Sequence, residues 1–424
     1  MIVVNDYKCL EFFLNSTKIL DKSPEYKFLG EWLGTGLLLS DGDEKWKRHR
    51  KILTPAFHFK ILEQFVDTFQ SNTNILVEKL KKEVGKSSTD IYPYVNLCTL
   101  DIICETAMGT QIHAQEHSNS EYVTSVKAMC KIIIDRSFNP FLQYTFPYIF
   151  TEQYRTEKKS VKILHDVTNS VIKKRQEEVE NHINAQSAEL ESLGVKRRLA
   201  FLDLLLEEKK KGQILSDVHI REEVDTFMFA GHDTTASGLS FTLYCLSEHP
   251  EVQQAVVNEL QDIFEDNKTR SITLRDLQEM KYMEAVIKES LRLYPPVPFT
   301  GREVKEDVEY DGTVLPEGLG VVLLIYGIHR DPKLFPEPEK FLPERFYSEN
   351  TAGKLPFGYI PFSAGSRNCI GQRFALLEIK SVLANILRNF IILPSNPKHN
   401  LEIVAETVIK SANGVCVQLK EREF

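Results

Sequence analysis

Cys369 has the clearest chemical setting of any residue in this sequence. It stands near the end of the loop Pro361-Phe362-Ser363-Ala364-Gly365-Ser366-Arg367-Asn368-Cys369-Ile370-Gly371, which leads into a helical pattern. A thiol beside a helix N-terminus is held as a thiolate, because the partial positive charge and free N–H groups there lower its pKa. Gly365 permits a turn that a Cβ would forbid, and Gly371 lets a flat ligand approach the backbone. Arg367 presents a fork of donors that suits a carboxylate on that ligand.

One alternative is that Cys369 is simply a buried free cysteine, which is the commoner role of an arbitrary cysteine. The complete spacing Phe-x-x-Gly-x-Arg-x-Cys-x-Gly favours a functional role instead. It resembles the cysteine loop of the cytochrome P-450 superfamily, in which this cysteine is the proximal iron ligand of haem. The resemblance implies that Cys369 binds the iron and that Phe362 and Arg367 belong to the haem site.

A second group of residues lies on a long helix predicted from Ser216, a suitable N-cap, to about Glu248, before Pro250. At 1.5 Å per residue this helix would be roughly 48 Å long, enough to cross the molecule. A stripe of small residues lies on one side of it, formed by Gly231, Thr234, Thr235 and Gly238. Close packing of helices is one interpretation of the stripe, and a flat ligand is the other.

The run Ala-Gly-His-Asp-Thr-Thr in this helix resembles the oxygen-binding groove of the same superfamily. There a threonine hydroxyl interrupts the backbone hydrogen bonding of the helix, and it relays protons that the neighbouring acid supplies. By this resemblance Thr234 is the hydroxyl on the oxygen side, Asp233 is the acid that delivers protons, and Gly231 contacts the haem. His232 has no role in this interpretation.

Two further motifs imply contacts to the haem propionates. Trp46 and Arg50 lie four positions apart on a predicted helix, so they share one face. A solvated basic helix anchored by one tryptophan is the alternative, but the pair resembles the family's Trp-x-x-x-Arg. Arg302, seven residues after Pro295, matches the second propionate-binding arginine. The resemblance assigns a structural role to a buried network of Glu289, Arg292 and Arg345.

Composition limits the class of protein. The 424 residues are 42% hydrophobic and 26% charged, as in soluble globular proteins. A net charge of −8 argues against nucleic acid as a general partner. The seven cysteines show no paired spacing, which indicates reduced thiols facing the cytosol. No apolar run reaches the 18 or so residues that would span a bilayer.

Helical periodicity dominates, so the sequence predicts a mainly α protein with small β-sheets. Helices are expected over residues 62–82, 94–108, 122–134, 158–181 and 281–294. The polar stretch 181–198 is expected to be an exposed connection. Hairpins are expected over 304–325, and terminal strands over 391–393, 403–408 and 415–419. The resemblance implies the cytochrome P-450 fold over 1–424 as a single domain, with a long central helix over the haem and the cysteine loop beneath.

The run Asp225-Thr226-Phe227-Met228-Phe229 before the groove and the segment Leu53-Thr54-Pro55-Ala56-Phe57-His58-Phe59 resemble family 4 of the superfamily, the fatty-acid ω-hydroxylase branch. Two features depart from that family. Many of its members carry a glutamate just before the groove glycine that can form an ester to haem. Ala230 stands there instead, which implies haem b held without a covalent bond apart from that between Cys369 and iron. The match also starts after the family's anchor helix and first strands. We therefore expect the strand near Val321 to lack its usual neighbours and the isolated chain to be weakly stable.

The resemblance implies a haem-thiolate monooxygenase that inserts one oxygen atom of O2 into a C–H bond of a lipophilic substrate, such as a fatty acid, a terpenoid or a xenobiotic. Electrons would come from NADPH through NADPH–cytochrome P-450 reductase, with cytochrome b5 as an optional second donor. Candidate contacts for the acidic reductase surface are Lys47, Arg48, Lys51 and Arg373, with ordinary solvated charge as the alternative.

The family's location is the cytosolic face of the endoplasmic reticulum membrane, and attachment of this chain to a membrane surface is left open. Two other hypotheses are kept. One is a haem-binding but inactive fragment with a non-catalytic role. The other is a helical interaction protein without haem.

Overall fold

A computed structural model describes residues 1–116, 121–190, 200–212, 215–265, 267–347 and 356–424. Its helices are α1 Tyr7–Asn15, α2 Gly30–Leu33, α3 Glu44–Leu53, α4 Phe59–Leu62, α5 Val66–Lys81, α6 Tyr92–Thr106, α7 Glu121–Phe138, α8 Pro140–Gln143, α9 Thr145–Tyr148, α10 Glu152–Leu190, α11 Phe201–Lys210, α12 Asp217–Glu248, α13 Pro250–Phe264, α14 Leu274–Glu279, α15 Lys281–Leu293, α16 Ile325–Ile328 and α17 Gln372–Asn389. Its strands are β1 Ile2–Val4, β2 Thr89–Asp90, β3 Thr300–Glu303, β4 Val308–Tyr310, β5 Thr313–Leu315, β6 Gly320–Leu323, β7 Phe390–Pro394, β8 Ile403–Ala405, β9 Ile409–Ser411 and β10 Cys416–Glu421. The predicted mainly α fold with small β-sheets is confirmed.

The chain forms two compact units. The first unit comprises Met1–Pro24, Val66–Thr99 and Asp233–Phe424, and the second comprises Glu25–Phe65 and Leu100–His232. The unit boundaries at Thr99 and His232 fall inside α6 and α12. The prediction of one domain over residues 1–424 stays a prediction.

Among the described residues four small sheets form, all in the first unit, with strand orders β1-β6-β3, β2-β10-β7, β4-β5 and β8-β9. In the first sheet β6 pairs parallel with β1 and antiparallel with β3, so both of its edges carry partners. The expectation that the strand near Val321 lacks neighbours was wrong, because Ile2, Val3 and Val4 supply the missing pairing. The reason for expecting weak stability is therefore removed.

A hydrophobic core lies beneath this sheet in the first unit. It consists of Val4, Leu10, Phe13, Leu14, Ile19, Val304, Val321, Leu323, Ile325, Ile328, Phe357 and Ile360. Helix α1 contributes three of these residues at positions i, i+3 and i+4, which form one helical face. Because Phe357 and Ile360 precede the cysteine loop, the same core holds the start of that loop.

The remaining strands differ in part from the sequence-based expectations. The turn at Asp311-Gly312 joins β4 to β5 as a hairpin, and both turn residues have positive φ. The turn after β5 leads into β6 but makes no second hairpin, because β6 pairs with β1 and β3 instead. The terminal strands are confirmed, although the strand predicted over 403–408 ends at Ala405 as β8 and pairs with a second strand, β9, that was not predicted.

The second unit is helical in the part of the chain that the structure describes, with α7 packed along α10. Its core includes close ring contacts on α12: Phe201 lies 4.2 Å from Phe227, and Trp32 lies 4.7 Å from Phe229, between ring centroids. Helix α10 continues to Leu190, so the predicted connection was wrong for residues 181–190, and 191–198 lie outside the described residues. No described helix is both long and apolar enough to span a bilayer.

The long central helix was predicted correctly. Its start is fixed by Ser216, whose hydroxyl accepts a hydrogen bond from the His219 N–H at 3.2 Å. Its end at Glu248 lies two residues before Pro250, the first residue of α13. These two local signals place Asp233 and Thr234 in the middle of a 32-residue helix.

Candidate functional site

The cysteine loop of the first unit is held by its own backbone. The Ser363 N–H donates to the Ile360 carbonyl at 2.9 Å, and the Cys369 N–H donates to the Phe362 carbonyl, also at 2.9 Å. Between them Gly365–Arg367 forms a single 3-10 turn. Helix α17 begins at Gln372, so Cys369 lies next to the helix start as predicted. Cys369 is an exposed residue, whereas Cys98, Cys104, Cys130 and Cys245 are buried.

Gly365 is required by this turn for two reasons. Its φ is +69°, a conformation that costs a residue with a Cβ more than it costs glycine. A Cβ at this position would also collide with the carbonyl oxygen of Leu14 at the end of α1. The prediction of a turn that excludes a side chain is confirmed at Gly365.

A buried ionic network supports the segment that leads into the loop. Glu289 accepts two hydrogen bonds from Arg292, both at 2.8 Å, and one from Arg345 at 3.2 Å. Arg292 also donates to the backbone carbonyl of His329 at 2.9 Å. The imidazole of His329 in turn accepts the Ile360 N–H at 2.9 Å. The predicted structural role of Glu289, Arg292 and Arg345 is confirmed, and it reaches the loop through His329.

His329 is neutral in this setting. Burial lowers its pKa to about 3, and the positive charge of Arg292 acts in the same direction. A neutral ring is needed here, because its Nε2 must accept the hydrogen bond from Ile360.

Three cations of the first unit lie near the cysteine loop. Arg302, on β3, is 2% exposed and donates to the Gly301 carbonyl at 3.0 Å and to the Thr300 hydroxyl at 3.2 Å. Arg367 donates through Nε to the Leu20 carbonyl at 3.0 Å. Burial and the positive charges of Arg302 and Arg367 hold the pKa of Lys22 well below its usual range. The sequence-predicted pair Arg302 and Arg367 is thus accompanied by Lys22.

Asp233 is anchored on three sides within the first unit. Its Oδ1 accepts from the Tyr92 hydroxyl at 2.9 Å and from the Asn96 amide at 3.3 Å, and its Oδ2 pairs with Lys410 Nζ at 3.2 Å. The Asp233 side chain is 2% exposed and that of Lys410 is 12% exposed. A buried carboxylate with a cation and two further donors has its charge compensated in place.

The other predicted residues of α12 lie along an unbroken helix. Thr234 and Ala230 are half-buried, and the α-helix continues through both. A Cβ on Gly231 would approach Ile103 Cδ1 to 2.7 Å, so packing within the second unit keeps this position small. A Cβ on Gly238, in the first unit, would meet Leu291 at 3.1 Å. Packing therefore explains both glycines, and a haem contact at Gly231 stays a prediction.

Trp46 and Arg50 belong to the second unit, on α3. Asp43 caps this helix by accepting the Trp46 N–H at 2.9 Å. Trp46 is buried and Arg50 is half-buried, so the solvated basic helix does not describe these two residues. Between them His49 is also buried, and its Nδ1 lies 2.7 Å from a carboxylate oxygen of Glu223 on α12. This contact fixes the rotation of α3 about its axis within the unit.

The residues present fit a haem. Haem iron takes at least one donor atom from the protein, and a Cys thiolate is one of the established donors. The exposed Cys369 carries a thiol next to the start of α17. The two propionates require cations, and Arg302 and Arg367 supply two guanidinium groups, both close enough to Lys22 to lower its pKa. The collision that a Cβ at Gly365 would cause shows that the backbone of the loop lies directly against the end of α1.

Four residues near these groups were missed by the sequence analysis: Lys22, Tyr92, Asn96 and Lys410. Tyr92 and Asn96 are four positions apart on α6, and this spacing places them on one helical face. That spacing was the only available signal, and it does not identify a partner. Lys22 and Lys410 are single lysines in polar segments, which usually are solvated charges.

Comparison with known proteins agrees with the geometry. The sequence matches the family described as Cytochrome P450 over residues 1–414. It is 45% identical over 430 residues to Cytochrome P450 4c3 of Drosophila melanogaster, an alignment that covers 100% of this chain and 80% of the relative. It is 46% identical to Cytochrome P450 4V2 of Homo sapiens, covering 100% of this chain and 80% of that protein. It is also 46% identical to Cytochrome P450 4d2 of Drosophila melanogaster, covering 98% and 83%.

Proposed function

This chain belongs to the cytochrome P450 family, and from that premise we propose that it is a haem-thiolate monooxygenase. The reaction inserts one oxygen atom of O2 into a C–H bond of a lipophilic substrate, which we take to be a fatty acid, a terpenoid or a xenobiotic. The observation that carries the proposal is the conformation of the Cys369 loop. A hydrogen bond from the Cys369 N–H to the Phe362 carbonyl holds the exposed cysteine next to the start of α17.

The chain holds the cofactor through a small number of residues. Cys369 is the iron ligand, with Phe362 beside it in the loop, and Arg302 and Arg367 bind propionate. Trp46 and Arg50 stay predicted as further propionate contacts, and Gly231 as a residue next to the ring. When bound, the haem with its thiolate ligand supplies the activation of O2, because the thiolate donates electron density that favours O–O cleavage. Ala230 has a methyl side chain, so we propose haem b without an ester bond to the protein.

Asp233 and Thr234 are the residues that move protons. Successive side chains of an α-helix project about 100° apart, so Asp233 and Thr234 do not face each other. The Asp233 carboxylate is engaged by Tyr92 and Lys410. A proton held at Asp233 therefore reaches the Thr234 hydroxyl after the carboxylate leaves Lys410, or through a water between the two side chains.

Electrons come from NADPH through NADPH–cytochrome P450 reductase, with cytochrome b5 as an optional second donor. Three exposed cations on α3 support this partner in the second unit: Lys47, Arg48 and Lys51. Lys47 pairs with Glu44 at 2.7 Å, so its charge is partly compensated. Arg373 is exposed in the first unit. Charge reversal by Lys51→Glu should raise the reductase concentration needed for half-maximal turnover, and an unchanged value would remove α3 from the docking surface.

We place the protein at the cytosolic face of the endoplasmic reticulum membrane. Support comes from an aromatic surface segment of the second unit, formed by Phe138, Phe141, Tyr144, Phe146 and Phe150, whose side chains are 64–79% exposed. Contiguous exposed apolar side chains of this kind mark surfaces that bind membranes or partners.

The test of the proposed reaction is isotope labelling. The purified protein is combined with NADPH, the reductase and a panel of fatty acids, terpenoids and xenobiotics under 18O2. The proposal requires a hydroxylated product that carries one 18O atom. Haem binding without a labelled product on any substrate of the panel would support the alternative of a non-catalytic haem protein.

A variant links that reaction to Asp233. Asp233→Asn should lower product formation by about a hundredfold, as expected for loss of a proton donor, while the spectrum of the bound haem is unchanged. Asp262→Asn, at an exposed position on α13, is the matched control and should keep full activity. Equal activity of Asp233→Asn and the control would remove Asp233 from the proton path.

A further inference from the structure

A cavity of about 240 Å³ opens in the second unit between α3 and the beginning of α12. It is lined by residues on one face of α3 and by two residues around the start of the long helix. These residues are Glu44, Lys45, Arg48, His49, Ile52, Leu215 and His219. A cavity of about 150 Å³ accommodates benzene, so this one has room for a small organic molecule.

Positive charge predominates among the lining side chains. Arg48 is exposed and forms no hydrogen bond or ion pair with any residue that the structure describes. Lys45 donates to the Thr35 hydroxyl at 2.5 Å, and its ammonium group has further N–H donors. The side chain of Glu44 is 86% exposed and pairs with Lys47 at 2.7 Å, so its negative charge is partly compensated. The cavity therefore favours an anion.

Two histidine rings add hydrogen-bonding groups to the cavity wall. His49 is 5% exposed, and its Nδ1 lies 2.7 Å from a carboxylate oxygen of Glu223, so Nδ1 donates in that bond. Its Nε2 forms no hydrogen bond within the described part of the chain. His219 accepts the Ser216 N–H through Nδ1 at 3.5 Å, so its Nε2 carries a hydrogen. The two ring centroids are 5.9 Å apart, so one ligand group can contact both rings.

The bond from His49 to Glu223 narrows the class of anion. With Nδ1 donating, Nε2 accepts a hydrogen bond in the neutral ring and donates one in the cationic ring. A phosphate monoester suits both forms of the ring, because its oxygens accept hydrogen bonds and its monoanion also has a hydroxyl that donates one. Its second pKa of about 6 makes both charge states available near neutral pH. A carboxylate suits only the cationic ring.

A metal ion fits the cavity less well. Glu44, His49 and His219 are residue types that bind metals, but no group of His, Cys, Asp and Glu side chains among the described residues is arranged to hold a metal ion. The positive charges of Lys45 and Arg48 would also repel a cation.

We propose that this cavity is a binding site for a phosphate monoester with a short organic group. The phosphate contacts Arg48, His49 and His219, because a guanidinium fork and imidazole N–H groups suit its oxygens. The organic group packs on Ile52 and Leu215. The site uses none of the residues that we assign to haem binding or proton transfer, so this inference goes beyond the proposed function.

The first test is calorimetric titration of the purified protein with n-propyl phosphate. Wild type should bind it with a Kd of about 1 mM or lower. Arg48→Gln should weaken binding at least about tenfold, because a hydrogen bond to a charged group is lost. Arg155→Gln, at an exposed position on α10 in the same unit, is the matched control and should bind like wild type. Equal Kd values for Arg48→Gln and wild type would overturn the inference.

Two other anions test the assigned chemistry. Inorganic phosphate has no organic group to bury against Ile52 and Leu215, so it should bind at least about tenfold more weakly than n-propyl phosphate. Butyrate has a similar chain but a carboxylate, and it should also bind at least about tenfold more weakly. Equal affinity for either anion would overturn the assignment of a phosphate monoester.

A further measurement uses wild type alone and so does not depend on the folding of a variant. Histidine modification by diethyl pyrocarbonate is mapped by mass spectrometry with and without n-propyl phosphate. The ligand should protect His219 and leave His58, an exposed histidine of the same unit, equally reactive. Unchanged modification of His219 at a ligand concentration that saturates calorimetric binding would contradict the proposed site.

Vesicles distinguish a lipid from a soluble source of the phosphate. Phosphatidic acid carries a phosphate monoester, so a lipid source predicts tighter binding to phosphatidylcholine vesicles that contain it. Arg48→Gln should remove this gain, and Arg155→Gln should retain it. Binding of n-propyl phosphate without any gain from phosphatidic acid would assign the site to a soluble organic phosphate.

The proposed function and this inference fail independently, because the titrations require neither reductase nor turnover. A protein that oxidises a substrate but binds no n-propyl phosphate contradicts only the inference. A protein that binds n-propyl phosphate but forms no thiolate-type haem spectrum contradicts only the proposed function.

Discussion

Asp233 Oδ2 lies 3.2 Å from Lys410 Nζ, and this ion pair connects the terminal hairpin of β8 and β9 to the middle of α12. The Lys410 ammonium also lies 3.7 Å from a carboxylate oxygen of Glu406. Side-chain exposure rises from 2% at Asp233 to 12% at Lys410 and 19% at Glu406. Through Lys410, the hairpin therefore supplies the positive charge next to the acid that we assign to proton delivery.

Loss of the lysine should destabilise the protein. Lys410→Met leaves the buried Asp233 carboxylate with Tyr92 and Asn96 as donors but without a cation. We expect the free energy of unfolding to fall by about 3 kcal/mol, the low end for a broken buried ion pair, because two donors remain. Chemical denaturation of the apoprotein measures this change.

The matched control for this variant is Lys398→Met. Lys398 pairs with Glu248 in the same unit, but its side chain is 66% exposed. An exposed pair contributes at most about 1 kcal/mol, so this control should change stability little. Equal effects of the two substitutions would mean that the Asp233 pair has no special importance.

Gly365 offers a test of the cysteine loop that does not involve the cysteine. Gly365→Ala combines a positive φ with a collision at the Leu14 carbonyl, so the loop must shift. We expect a loss of more than about 3 kcal/mol and a large fall in haem content. Gly318→Ala has a similar φ of +80° with no atom within 4 Å of the added Cβ, and it should cost only about 1 kcal/mol. Similar melting temperatures for the two variants would contradict the role given to Gly365.

Stability should decline in acid through His329. Its folded-state pKa of about 3 lies below the ordinary 6.5, so the unfolded chain binds the proton more readily. The stabilisation is complete above pH 6.5 and is lost as the pH falls toward 3. The slope is about 1.4 kcal/mol per pH unit in that window.

Urea unfolding of wild type and His329→Gln at about pH 7 and about pH 4.5 isolates this contribution from those of the carboxylates. Glutamine retains an acceptor for the Ile360 N–H but takes up no proton. The stability of the variant should therefore fall less than that of wild type. If the free energy of unfolding fell by the same amount in wild type and in the variant, His329 would not be the source of the pH dependence.

The aromatic surface segment should bind lipid. Phe141 and Phe146 are 79% and 77% exposed, and burying one such side chain is worth about 1.5–3 kcal/mol. The double substitution of both by serine should weaken binding to phosphatidylcholine vesicles at least about tenfold in a flotation assay. Val314→Ser, at a 61% exposed apolar position on β5, is the control and should float like wild type.

Local signals in the sequence were sufficient to predict much of the fold. Ser216 and Pro250 bounded the central helix within one residue of α12, because a cap and a proline act on adjacent backbone. The pairing of Glu289 with Arg292 follows from their i, i+3 spacing, and Arg345 was placed by the resemblance alone. The cysteine loop is likewise a continuous stretch with its own turn.

Contacts between distant parts of the chain were not predictable in the same way. Lys410 meets Asp233 and residues 20–22 meet the cysteine loop only after the sheets have formed, and a lone lysine gives no sign of its partner. The pairing of β1 with β6 was not predicted either, because the sequence of a short strand does not show which distant segment it pairs with. Residues 181–190 were misassigned because their apolar periodicity is weak although they include good helix formers such as alanine, glutamate and leucine.

The central claim is that the Cys369 thiolate binds the haem iron. Its most direct test is the absorption difference spectrum of the dithionite-reduced protein with and without carbon monoxide. Wild type and Cys416→Ala, which removes a half-buried thiol on β10, should both show the far red-shifted band of thiolate-ligated haem. Cys369→Ala should lose it. A band at the position typical of histidine ligation in wild type, or a red-shifted band that persists in Cys369→Ala, would contradict the account.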